Sequence, residues 1–119
     1  MPLNEMLCCS VHMTENLPLL IYMTCADRAE GERIAAALLE KGLIACANVM
    51  SPHRALYDWE GEVHNEEETA VIFKSTAGRY AEIEAEIRAR HSYDVPGLVA
   101  WPVEKGHPDF LAWIRATTG

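Results

Sequence analysis

The side chains best suited to chemistry in this 119-residue chain are four cysteines, five histidines and one dense acidic run. Cys25 follows Met23 by two residues, and alternate residues of a strand share a face, so a thiolate and a thioether can meet there. Such a soft pair selects Cu(I). Glu66, Glu67 and Glu68, with Glu60, Glu62 and His64 nearby, offer oxygen ligands to hard cations. The same run also reads as a solvated strand edge that discourages aggregation. Cys46, inside the apolar run IACANVM, reads as a small buried hydrophobe. Tyr57, Trp59, Trp101 and Trp113 would either wall a cofactor pocket or anchor packing and subunit contacts.

Catalytic signatures are missing. The chain has no G-x-S-x-G, no H-E-x-x-H and no G-x-x-x-x-G-K-[ST]. Cys and His both occur, but without a third orienting group, and the expectation is that the chain is not an enzyme. A formal net charge of -8 repels phosphate backbones, and the scattered Arg28, Lys41, Lys74, Arg79, Arg90 and Lys105 form no basic stripe. Nucleic acid is therefore not an expected partner. Cys8, Cys9, Cys25 and Cys46 lack C-x-x-C spacing, which points to reduced thiols and a cytoplasmic location. No run is apolar and long enough to span a bilayer, so no membrane association is expected. Residues 1–17, with neither a basic leader nor a sustained apolar stretch, are expected to form a loose tail, part of it upstream of a natural start at Met13.

The elements that must position these groups follow from periodicity. Half the residues are apolar, enough for one core, and 18–119 reads as a single domain. Leu19 to Thr24 is a short buried strand. Asp27 is a plausible N-cap for a helix whose apolar positions are Ile34, Ala35, Leu38 and Leu39, and Lys41-Gly42 stops it. Ile44 to Met50 and Ala55 to Trp59 read as extended, with a break at Ser51-Pro52. The turn Glu60-Gly61 leads into a strand from Val63 to Thr76, so a long antiparallel hairpin is expected. From Gly78 to His91 the period becomes helical around Ile83 and Ile87. Leu98 to Val103 is a further strand, and Pro108 to Arg115 a final helix.

The order β-α-β-β-α-β plus a terminal helix is the α+β, ferredoxin-like split βαβ arrangement. Right-handed crossovers put both helices on one sheet face and leave the other open. The hairpin carries a second consequence. Ile44 to Trp59 drawn straight would span roughly 50 Å at about 3.3 Å per residue, more than the roughly 35 Å diameter of a compact domain of this size. The hairpin must bend or protrude, and its free backbone groups then need a partner, most simply another copy.

Three segments resemble the CutA family of divalent-cation tolerance proteins: ACANVMSPHRALYDWEG at 45–61, HSYDVPGLVAWPVEKG at 91–106 and DFLAWI at 109–114. The opening TCADRAEGERIAAALLEKGLIACAN fits as well, so the resemblance runs from about Leu19 to Ile114. It implies a ferredoxin-like fold, a homotrimer with hairpins paired between subunits, and a role in tolerance of copper or another divalent cation. By the same resemblance, ligands fall at the end of the first strand, here Met23 with Cys25 beside it, and at His91, whose imidazole suits copper and zinc. One histidine of the family's stretch is replaced by Arg90. Against this stand a trimeric PII-like signalling or scaffold role with a small metabolite in subunit clefts, and an acylphosphatase-like enzyme, for which Arg28 and Asn48 form no phosphate loop.

Overall fold

The computed structural model describes residues 15–119. The expected loose tail lies outside this range except at 15–17, and so does a start at Met13. The chain runs β1 (Pro18–Cys25), α1 (Arg28–Glu40), β2 (Cys46–Val49), β3 (His53–Trp59), β4 (Glu62–Thr76), a 3-10 turn (Ala77–Arg79), α2 (Tyr80–Arg90), β5 (Leu98–Pro102) and α3 (Pro108–Thr118). The sheet order is β2-β4-β1-β5, with β3 pairing the outer half of β4. All pairs are antiparallel. This is the expected ferredoxin-like order.

Local chemistry sets the boundaries. Asp27 caps α1, its Oδ1 accepting from the Glu30 amide at 2.8 Å, while Glu30 Oε1 accepts from the Ala26 amide at 2.9 Å. At the other end Gly42 takes φ 69, and the amides of Gly42 and Leu43 return to the carbonyls of Leu39 and Leu38. A glycine is favoured there because a side chain would strain that left-handed backbone. The second extended run is shorter than its composition suggests. Leu43, Ile44 and Ala45 are buried in a non-strand approach, and β2 begins only at Cys46. Pro52 separates β2 from β3, as expected of a residue that cannot donate to a ladder.

One face of the sheet carries the core. Ile21, Met23 and Cys25 of β1 and Val71 and Phe73 of β4 are fully buried against Ile34 and Leu38 of α1 and Ile83 and Ile87 of α2. α3 meets the opposite face at its Pro18–Thr76 end, where the Thr118 and Thr76 hydroxyls lie 3.1 Å apart, and leaves much of that face open. There Leu20 and Tyr22 are half-buried, and their register partners Trp101 and Val99 are exposed. β5 is the edge strand, which explains how Pro102 is tolerated at its end.

Beyond the body, β3 and the outer half of β4 form a two-stranded ribbon from the His53–Glu68 pair to the Trp59–Glu62 pair. Glu60 and Gly61, with φ of 52 and 84, make its tight turn, and Asp58 Oδ1 accepts from the Gly61 amide at 3.1 Å. The molecule measures 54 × 30 × 26 Å with a radius of gyration of 16.3 Å. A compact chain of this length would give roughly 13.5 Å. The ribbon accounts for the difference, and it protrudes as the length argument expected. Among the described residues, β3 has a partner on one side only.

Candidate functional site

The residues expected to ligate a soft metal end up around the C-terminal end of β1. Met23 and Cys25 do share a face, but it is the helix-covered face, and both are fully buried. The Cys25 thiol lies 3.3 Å from the Asp27 carbonyl and 3.5 Å from the Thr69 carbonyl, toward which it donates. Burial, reinforced by the charge of Glu30, pushes this thiol up to about 11. A metal ligand must be the thiolate, so this setting opposes coordination.

His91 is the C-cap of α2 and only partly buried. Its Nε2 lies 2.8 Å from the Thr24 carbonyl, and its Nδ1 accepts from the Tyr93 amide at 3.0 Å. A carbonyl needs a donor and an amide needs an acceptor, so the ring is the Nε2–H tautomer with both nitrogens used. A metal at His91 would have to displace one of these bonds. Among the described residues no three His, Cys, Asp or Glu side chains are grouped to hold a metal ion. Met23, Cys25 and His91 therefore do not assemble the expected soft site in this arrangement, because alternation turns 23 and 25 into the core while His91 reaches only the backbone between them.

What the same region does form is a cleft of about 540 Å³ where the sheet face opposite α1 and α2 meets the root of the ribbon. Antiparallel register puts Ala55, Tyr57 and Trp59 of β3 on the same side as Glu66 and Glu68 of β4, and they make one wall. The loop between α2 and β5 makes the other wall, with Tyr93, Asp94 and Val95. Thr24 and Gly97 lie at the floor, and a Cβ on Gly97 would come within 2.6 Å of Thr24 Oγ1, so glycine lets the loop pass this close to β1.

Three groups hold that loop. His91 and the Gly97 carbonyl, which accepts from the Thr24 amide at 3.0 Å, pin its two ends to β1. Glu30, 3 % exposed, takes the Ser92 amide at 2.7 Å and the Ser92 hydroxyl at 3.0 Å. Burial raises the Glu30 carboxyl, but these bonds and the Ala26 amide outweigh it and hold the group below the usual carboxylate range. Across the cleft, the Tyr93 hydroxyl donates to Glu68 Oε2 at 2.9 Å. Burial and the carboxylate together push this phenol far above its ordinary value. Tyr57 donates likewise to Glu66 Oε2 at 3.0 Å, and its ring stacks on His64 with centroids 5.0 Å apart.

Sequence reading noticed Tyr57, Trp59 and the acidic run separately but not Tyr93 with Glu68, which are 25 residues apart and meet only in three dimensions. The alternation of 55, 57 and 59 against 66 and 68 was the available signal. Cys46, expected in the core, is half-buried on the face opposite α1 and α2, paired with Lys74. No helix among the described residues is long and apolar enough to cross a membrane.

Known proteins place this architecture. A family model described as CutA1 divalent ion tolerance protein matches residues 19–117. The divalent-cation tolerance protein CutA of Archaeoglobus fulgidus is 42% identical over 97 residues, covering 82% of this chain and 94% of that protein. The Thermus thermophilus protein of the same name is 32% identical over 100 residues, covering 84% and 97%. Among solved structures, the periplasmic divalent cation tolerance protein CutA from A. fulgidus superposes with a TM-score of 0.83 at 40% identity, covering 87% of this chain and all of that one. CutA1 from Oryza sativa gives 0.84 at 28% identity, covering 89% and 97%. The family match runs through the ribbon, the cleft loop and most of α3, and the chain belongs to the CutA1 divalent ion tolerance family.

Proposed function

We propose that this chain acts in tolerance of copper or another divalent cation as a homotrimer, with its cation ligands brought together between copies. The observation that carries the reading is the ribbon. Its exposed apolar side chains, Leu56 and Val63, and the open edge of β3 are surfaces that an isolated chain leaves in water. The open part of the sheet face opposite α1 and α2, with Val99 and Trp101 exposed, needs a cover for the same reason. Family membership supports the metal role, and the absence of a three-residue ligand group within the described chain favours ligands shared across subunits.

Within this reading Met23 and Cys25 pack the core, and His91 is the ligand to test, since it alone of the three is partly exposed. Light scattering on the full chain is expected to give three times the 13.3 kDa chain mass. Calorimetric titration with Cu(I), Cu(II) and Zn(II) is expected to show binding tighter than surface carboxylates give. A monomer in light scattering would defeat the reading, and unchanged metal affinity in His91→Ala would remove His91 from it. The cysteine pattern supports a cytoplasmic location, which cell fractionation checks.

A further inference from the structure

We propose that the cleft between the ribbon root and the α2–β5 loop is a binding site for an organic cation, a primary ammonium or guanidinium group on an apolar body. The proposal goes beyond the metal reading and does not depend on it.

Glu68 is the first ground. Its side chain lines the cleft yet the residue is only 7 % exposed. A carboxylate taken out of water costs several kcal/mol unless a positive group or several donors replace the lost hydration. Its one hydrogen bond among the described residues is from the neutral Tyr93 hydroxyl, and that bond uses Oε2. No Lys, Arg or His of the described residues forms an ion pair with it, and His53, its partner across the ladder, makes none. Oε1 has no donor among the described residues and is not sealed from solvent. A largely buried carboxylate, oriented by Tyr93 and with its second oxygen still reachable, is available to a cation.

The lining is the second ground, and it is independent of Glu68. Glu66 and Asp94 add two more carboxylates, and no Lys or Arg lines the space. Tyr57, Trp59 and Tyr93 supply aromatic rings, whose faces attract a cation within about 6 Å of the centroid. Aromatic walls with an acidic end suit an organic cation, whereas hard metal ions are held by closely spaced oxygens. Size decides in the same direction. A volume of about 540 Å³ lies within the roughly 300–1,000 Å³ of small-molecule pockets. A bare metal ion would leave most of that space and all of the aromatic surface unused.

The test uses the full-length protein in its assembled state, with phenethylamine as probe and 2-phenylethanol as its uncharged counterpart of equal shape. Binding is followed by Trp fluorescence and by amide shifts of Thr24, Tyr93 and Gly97 in two-dimensional NMR. The amine is expected to bind about tenfold or more tighter than the alcohol, as a charge-assisted hydrogen bond requires. Glu68→Gln is expected to remove that preference. Should Glu68→Gln fail to fold, Trp59→Leu, which changes a half-exposed ribbon residue, is expected to weaken the amine severalfold and keep the fold. Equal affinity for amine and alcohol would overturn the proposal, as would no saturable binding at millimolar amine. So would amine affinity unchanged in Glu68→Gln, or in Trp59→Leu where that is the variant that folds. Stoichiometric displacement of the amine by Cu(II) or Zn(II) would assign the cleft to a metal and overturn it as well.

Discussion

Tyr93 and Glu68 face each other across the cleft at 2.9 Å, phenol to carboxylate, and this bond ties the α2–β5 loop to the root of the projecting ribbon. β4 itself runs unbroken from the ribbon into the body, and the pair adds a side-chain tie beside it at the ribbon root.

Tyr93→Phe removes that donor and leaves a largely buried carboxylate with no hydrogen-bond donor among the described residues. A hydrogen bond to a charged group is worth about 1.5–3 kcal/mol, so a loss in that range is expected. Denaturant unfolding at one fixed chain concentration measures it, since unfolding of an assembly depends on concentration. A loss below about 0.5 kcal/mol, the ordinary range of surface substitutions, would show that water replaces the phenol without cost.

Glu30 makes stability depend on pH. Its folded carboxyl ionises at lower pH than in the unfolded chain, so the stabilisation is complete above the ordinary carboxylate value, about 4.3, and is lost as pH falls through the folded value. The difference in unfolding free energy between the native chain and Glu30→Gln is therefore expected to be constant near neutrality and to shrink on acidification. A difference that stays flat down to the acid transition would mean the folded carboxyl is not held low.

Gly97→Ala would set a Cβ 2.6 Å from Thr24 Oγ1. Overpacking of this kind costs about 1–3 kcal/mol. Because the clash is with a single side-chain atom, Thr24→Ala in the same chain is expected to recover most of that loss. A double-mutant cycle that came out additive would show that the backbone, not Thr24, resists the side chain.

The two described cysteines should react differently. Cys25 is fully buried and burial pushes its thiol up to about 11, whereas Cys46 is half-buried on the face opposite α1 and α2. Iodoacetamide at pH 8 followed by peptide mapping is expected to leave Cys25 unmodified until denaturant is added and to label Cys46 wherever another copy does not cover that face; labelling of native Cys25 would show that its burial is not maintained. Protection of Cys46 together with Cys25 would mean another copy covers that face.

How much of this was legible beforehand varies with the range of the interaction. Strand and helix order, the Asp27 cap, the Gly42 stop, the break at Pro52 and the turn at Glu60-Gly61 are local: each depends on residues within one turn or one alternation of the chain. They were readable for that reason, and so was the protrusion of the ribbon, which follows from residue count alone. The boundary of β2 was less so, since Ile44 is buried in the core cluster without being part of a strand.

The sequence by itself determined a ferredoxin-like order, one core face and a ribbon too long for its body, because periodicity and chain geometry act along the backbone. Tertiary structure alone decided the state of the chemical groups. It turned Met23 and Cys25 inward, spent both nitrogens of His91 on Thr24 and Tyr93, and buried Glu68 beside a phenol 25 residues away. Whether a ligand atom is free depends on which distant donor or acceptor reaches it first, and that is set by packing between elements, not by spacing within them.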